Sequence, residues 1–293
     1  MKRVLTVQDI SCVGKCSLTA AIPVISAMGI EVCPLPTAIL SNHTAFSSFS
    51  FLDLTDKIPE ILNEWKKQGF HFDAIYTGYL GSIKQIDLVH KILDEFAQND
   101  TLVVIDPCMA DNGKLYTGFS QDFVNQMAKL CGRANVILPN MTEACFLVNQ
   151  DYDIFTHTNE SITKLMEKLL SLGANHVVLK GVDFSSDKIG VAYYSQKNNN
   201  DSRNLIGKSI IENSIDDMKI YFHHRYDENF HGTGDLFASV VTGALVLKKE
   251  LKEAVKIACD FIQESIECTL SNPNYNWYGV EFESALKNLP QRL

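Results

Sequence analysis

The chain has 293 residues, 46% hydrophobic and 21% charged, which suits one large α/β domain or two small ones. Its 26 basic residues stand against 35 acidic ones, and the net charge of −9 excludes a basic nucleic-acid surface or a polybasic membrane patch. No apolar run approaches a membrane span, and the first residues run into a strand pattern rather than a signal peptide. Residues 3–8 predict a first buried strand, and Gly14 breaks the loop after it. Residues 17–28 predict a helix ending at Gly29, with Pro23 bending it or lying in its first turns. Residues 31–40 are extended, and Pro34 and Pro36 place them near a sheet edge or make them irregular. A polar loop follows at 41–44.

Ile58, Ile61, Leu62 and Trp65 recur at helical spacing within 55–68, closing at Gly69. Alternation then continues: strand 73–77, helix 84–97, strand 101–105, helix 120–130, strand 135–138, helices 142–148 and 159–172, strand 176–179. The second half predicts strands at 189–195 and 218–222, with a third segment near 206–211. Residues 197–204 read as a solvated, mobile loop. Helices close the chain at 235–248, 251–270 and 280–288. Alternating strand and helix from 3 to 181 predicts an α/β fold, a mainly parallel, doubly wound sheet with helices on both faces.

The eight cysteines include no Cys-x-x-Cys, and most sit in apolar runs as small hydrophobes. A reduced, cytosolic protein without structural zinc is expected. Cys12 and Cys16 remain candidates for a reactive thiol near a site.

Residues 230–245 carry the chemistry. Gly232, Thr233 and Gly234 form a loop with little side chain before an apolar helix, leaving free backbone N–H groups for an anion such as a phosphate. Asp235 follows at once. It either stabilises its own helix N-terminus or takes a proton from a hydroxyl attacking phosphorus. In parallel sheets ligands bind at the carboxyl ends of the strands. Six polar sets fall on that rim: Gln8-Asp9, Ser41 to Thr44, Gly78-Tyr79, Asp106, Asn140 with Glu143, and Lys180.

Ser41-Asn42-His43-Thr44, Thr77-Gly78-Tyr79, Asp106-Pro107, Pro139-Asn140-x-x-Glu143 and Gly232-Thr233-Gly234-Asp235-Leu236-Phe237 occur in the order and spacing of pyridoxal kinases. The chain therefore resembles that branch of the ribokinase-like superfamily over roughly residues 3–270, as a single kinase domain. The resemblance implies ATP-dependent phosphorylation of the 5′-hydroxymethyl group of pyridoxal, pyridoxine or pyridoxamine. Asp235 would be the catalytic base, with Gly232, Thr233 and Gly234 holding the transferring phosphoryl. Asp106, Asn140 and Glu143 would organise Mg2+ and the triphosphate, with Asp106 and Glu143 reaching the metal partly through water. Asp111 would lie over the phosphates on a lid-like loop, and Phe230 would line the ATP side. Ser41, His43, Thr44 and Tyr79 would line the pyridine pocket. The family is typically a cytoplasmic homodimer that uses no nucleic acid or membrane; a K+ requirement is left open.

Three positions depart from the family pattern. Asp9 stands where Ser is common. It pairs with a substrate cation or turns to cap the structure around Ser17. His231 precedes the anion loop, where an apolar residue is expected. Lys180-Gly181 resembles bacterial members, and Lys180 is either a point charge on the triphosphate or an exposed strand-end lysine. The rival readings are a hydroxymethylpyrimidine kinase of thiamine synthesis and a non-catalytic nucleotide- or pyridoxal-binding regulator.

Overall fold

β1 runs Arg3–Val13, beyond the expected end at residue 8, so Asp9 and Ser11 lie inside it and not in a following loop. Pairing is the cause. After α1 (Ser17–Ala27), β2 (Glu31–Asn42) lies parallel to β1 from Arg3 opposite Glu31 to Val13 opposite Asn42, carrying both strands past their apolar runs. Ser41 and Asn42 are thereby strand residues, not loop residues. A register shift between Gln8 and Ile10 marks an irregularity at the level of the polar residues. The outer strand β3 (Phe51–Asp53) pairs only with Ala38 to Leu40, so Pro34 and Pro36 face an open edge where a missing N–H deprives no partner.

The computed structural model describes residues 1–152, 157–185, 188–194 and 218–293. Beyond β3 the chain forms α2 (Ile58–Lys67), β4 (Ala74–Thr77), α3 (Ile83–Phe96) and β5 (Leu102–Ile105). A small hairpin, β6 (Ala110–Asp111) and β7 (Lys114–Leu115), follows where no element was expected. Then come α4 (Gln121–Cys131), β8 (Val136–Ile137), α5 (Met141–Leu147), α6 (Asn159–Leu170), β9 (His176–Ser185) and β10 (Lys188–Tyr194). β11 (Met218–His224), α7 (Thr233–Val246), α8 (Leu251–Leu270) and α9 (Glu283–Leu286) complete the order, with a short 3-10 turn at Leu289–Arg292. The segment expected near 206–211 and the loop expected at 197–204 lie outside the described residues.

Among the described residues one sheet has the order β11-β10-β9-β8-β5-β4-β1-β2-β3. Its interior is parallel from β2 through β9; β3 joins one edge, and β10 and β11 the other, through antiparallel pairings. Strand alternation splits the core. Leu5, Val7, Ile75, Ile105 and Ile137 face α2 to α6, while Val4, Tyr76, Val104 and Val136 face α1, α7 and α8. This is the doubly wound arrangement expected from the alternation. Small residues let α7 pack closely: at Gly243 the Met28 sulfur fills the space a Cβ would need. Leu236, Phe237, Val240 and Val241 anchor the helix, each buried side chain contributing about 1.5–3 kcal/mol. No described helix is long and apolar enough to cross a membrane.

Candidate active site

α7 begins at a close backbone crossing. Its N-cap, Gly232, has φ 83°, a left-handed conformation that costs a side-chain-bearing residue energy. The Lys15 carbonyl occupies the place of a Cβ there. Thr233 and Gly234 already belong to the first helical turn, so the three residues form a helix N-terminus and not a separate loop. Thr233 Oγ1 donates to the Phe230 carbonyl at 3.1 Å, and the half-buried Phe230 ring stands near Tyr226 and Tyr275. A Cβ on Gly234 would meet only Lys180 Nζ, at 3.8 Å, which puts that ammonium beside the helix N-terminus.

Asp235 lies in the same turn. Burial pushes its carboxyl up to about 7, the Ser17 backbone N–H opposes the rise, and the neighbouring Asp106 and Asp9 add to it. Ser17 has φ 48° at the first residue of α1, an uncommon conformation for a non-glycine residue.

Lys180 is not an exposed strand-end lysine. It sits within the longer β9, and its Nζ donates to both Asp106 carboxylate oxygens, at 2.9 and 3.0 Å. Burial works against the ammonium, but Asp106 and Glu143 outweigh it and its pKa is raised. Glu143 is pushed up to about 8 by burial, with Lys180 opposing. Both Glu143 oxygens are engaged: one accepts from the Asn140 N–H at 2.8 Å, the other from the Met109 N–H at 3.2 Å. Asn140 caps α5 in return, accepting from the Glu143 N–H at 2.8 Å, while its Nδ2 donates to the Ala110 carbonyl at 2.9 Å. This pair therefore holds the 109–110 backbone against α5. Asp111 stands exposed on the hairpin above, accepting from the N–H and Nδ2 of Asn112 at 2.9 and 3.1 Å.

The residues expected to line a ring pocket differ in burial and in partners. Asp9 is buried, its carboxylate accepts from the Ser11 hydroxyl at 3.0 Å, and the nearby Ser17 side chain favours its charged form. An internal donor thus answers part of its burial. Burial still raises its pKa. Tyr79 stacks on Phe119 with centroids 5.7 Å apart, and burial pushes its hydroxyl up to about 12. His43 is buried; Nδ1 accepts from the Ala45 N–H at 3.2 Å, so Nε2 donates to the Tyr278 carbonyl at 2.9 Å. Ser41 Oγ accepts from the Ser50 N–H at 2.9 Å and donates to Asn42 Oδ1 at 2.7 Å, bracing the connection from β2 to β3. Thr44 is exposed. Sequence reasoning missed the C-terminal contribution: Trp277 packs against Phe46, His43 and His231, with centroids 4.6 to 5.9 Å apart. Only the two aromatics at 277 and 278 ahead of Gly279 could have signalled it.

All eight cysteines are unpaired, and burial raises Cys16 beyond the range of a ready thiolate. Helix N-terminal donors, a carboxyl pushed up to about 7 and a partly buried lysine thus meet at one rim. That arrangement suits phosphoryl transfer to a hydroxyl.

Comparison with known proteins narrows this. A Bacteroides thetaiotaomicron protein, provisionally assigned as a phosphomethylpyrimidine kinase and crystallised with pyridoxal, is 39% identical over 98% of this chain and 95% of its own, with a TM-score of 0.88. The pyridoxal kinase of Dictyostelium discoideum is 25% identical over 93% of this chain and 89% of its own. The hydroxymethylpyrimidine/phosphomethylpyrimidine kinase of Bacillus subtilis is 26% identical over 68% and 65%. Residues 14–277 match the sequence profile described as phosphomethylpyrimidine kinase, and the chain belongs to that family, whose ribokinase-like fold and likeness to pyridoxal kinases it shares.

Proposed function

We propose that this protein transfers the γ-phosphoryl group of ATP to the 5′-hydroxymethyl group of a vitamin B6 vitamer. The observation that carries the reading is Asp235, titrating near 7 in the first turn of α7, beside Lys180. In the proposed reaction Asp235 accepts the proton of the substrate hydroxyl as its oxygen attacks phosphorus. The N–H groups of 232–234 and the Lys180 ammonium receive the charge of the transferring group. Lys180 moves from Asp106 toward the phosphates or shares its donors between them, since an ammonium has three.

The donor set fits magnesium held largely by phosphates and water. No group of three His, Cys, Asp or Glu side chains able to hold a metal occurs among the described residues, and Mg2+ normally needs only one or two carboxylates. Asp106 would hold it, partly through water. Glu143 would act at longer range, because its oxygens serve backbone donors. When bound, the ion neutralises triphosphate charge. Asn140, with both ends of its side chain engaged, shapes the ATP site through the 109–110 backbone.

Pyridoxal in the Bacteroides thetaiotaomicron crystals supports a pyridine ring as acceptor. The family description and the Bacillus subtilis relative favour a second reading, hydroxymethylpyrimidine as acceptor. A coupled assay of ADP release with pyridoxal, pyridoxine, pyridoxamine and hydroxymethylpyrimidine tests both. A higher kcat/KM for at least one vitamer than for the pyrimidine is expected. The reverse ranking would install the second reading, and no ADP release with any of the four would remove both.

A further inference from the structure

The register of the sheet gathers four polar atoms that meet no partner. Thr6 Oγ1, Gln8 Oε1, Gln8 Nε2 and Tyr76 Oη are buried and without a hydrogen bond among the described residues. Atoms of this kind cost free energy unless something answers them. Thr6 lies opposite Tyr76 across the β1–β4 ladder. Two residues nearer the strand ends, Gln8 stands beside Gly78, whose N–H donates to the Val7 carbonyl. Gly78 has no side chain, and Gln8 Oε1 lies 2.5 Å from where its Cβ would be. On the next strand, the Asp106 N–H donates to the Thr77 carbonyl, which sets Asp106 level with Gly78.

By strand alternation Thr6, Gln8, Tyr76 and Asp106 share the face of Val4, Ala74 and Val104, the face that α7 covers. The Tyr76 hydroxyl feels both Asp106 and Asp235. It also lies near the Ser239 hydroxyl, which donates to the Asp235 carbonyl at 2.6 Å, although the two hydroxyls do not meet in hydrogen-bonding geometry. Packing alone would be met by Val, Leu and Phe at 6, 8 and 76. Three polar choices on one face of two adjacent strands, with the Tyr76 hydroxyl near Asp235, point to a polar occupant.

We propose that Thr6, Gln8 and Tyr76 enclose a chamber for ordered water behind Asp235 and are positioning residues for its carboxylate. Such water needs two to four polar partners, and the chamber supplies an amide donor, an amide acceptor and two hydroxyls. Ser17 N–H holds Asp235 from the α1 side; the chamber water holds it from the sheet side. The inference rests on Asp235 as the base. The substrate does not enter the chamber, so the three side chains govern turnover and not substrate affinity.

The test replaces each polar group by its apolar isostere in the full chain: Thr6→Val, Gln8→Leu and Tyr76→Phe. Read for each are kcat, KM for ATP, KM for the preferred acceptor, and the melting temperature. Each variant is expected to lower kcat roughly five- to tenfold, the worth of about one hydrogen bond, with both KM values unchanged. Thr6→Ser, which keeps the hydroxyl, should retain wild-type kcat. A crystal structure of the wild type should show water bonded to Gln8 and Tyr76. Variants that melt higher than wild type with unchanged kcat, or a wild-type chamber empty of density, would overturn the proposal. Asp235→Asn in parallel separates the two claims. If it retains turnover the base reading fails, while the crystallographic result still decides the chamber.

Discussion

Asp235 carries a cost at neutral pH that its proposed work explains. An unfolded aspartate titrates near 4, about three units below the folded value of about 7. Between those values the folded state keeps a proton that the unfolded chain has lost, so stability falls as pH rises through the window. Asparagine has no such charge. Asp235→Asn should therefore lower kcat by roughly 10²–10⁴-fold and melt above wild type at pH 8, with the gain vanishing near pH 4. Turnover above about a third of wild type, or a lower melting temperature at pH 8, would reduce Asp235 to a helix-terminus residue. Lys180 presents the opposite case, a charge already matched. Removing it strands Asp106 as a buried anion, so Lys180→Met should cost about 3–5 kcal/mol in urea unfolding, and adding Asp106→Asn should recover part of that. A single-mutant cost below about 1 kcal/mol would mean the pair is solvated and contributes little to the fold. Asp9, at the departure from the family pattern, already has the Ser11 hydroxyl as a donor within its own strand.

At the scale of elements, what was legible in the sequence followed local periodicity. The amphipathic helices α2, α3, α4 and α6 begin and end within a few residues of expectation, and three have readable caps in Ser82, Ser120 and Thr158. What was not legible depended on pairing partners far along the chain. β1 outruns its apolar stretch because β2 accompanies it to Asn42, and β9 reaches Ser185 because β10 folds back on it. Both extensions moved polar residues, Asp9 and Lys180, from just beyond the expected strand ends into the strands, where their burial and internal partners follow. The hairpin at 110–115 is too short to leave a periodic signal; Asn140, some thirty residues away, holds it by its Ala110 carbonyl. The turns after α4 and α6 meet at another long-range contact. A Cβ on Gly132 would collide with the Leu172 carbonyl oxygen, a backbone atom that cannot swing aside. Gly132→Ala should destabilise by about 1–3 kcal/mol with kcat unchanged, since this end of the sheet is remote from the rim. Wild-type stability in that variant would mean the two turns separate without cost.

Across the whole molecule, the site depends on three segments that are distant in sequence. The Lys15 backbone is held between the N-cap of α7 and the C-terminal segment: its carbonyl fills the Cβ space of Gly232, and its side chain and N–H crowd that of Gly279. Lys15 Nζ also pairs with Glu283 at 2.9 Å, and Tyr278 holds His43 by its carbonyl. The exposed ion pair contributes little by itself, about 0–1 kcal/mol. The backbone contacts are what transmit position, because packed backbone does not yield the way a flexible side chain does. Gly279→Val would place its Cβ 2.8 Å from Lys15 Cβ and 3.2 Å from Lys15 N, forcing the 14–17 segment toward α7. Gly232 cannot absorb that shift without leaving φ 83°, and Ser17 would carry its N–H away from Asp235. Gly279→Val should therefore lower kcat at least tenfold although residue 279 carries no reactive group, since displacement of a catalytic group by about 1 Å costs on the order of 10²-fold. Lys15→Ala removes the ion pair but keeps the backbone, and should leave kcat within about twofold. A Gly279→Val protein that melts near wild type and turns over at the wild-type rate would show that the C-terminal segment only covers the site.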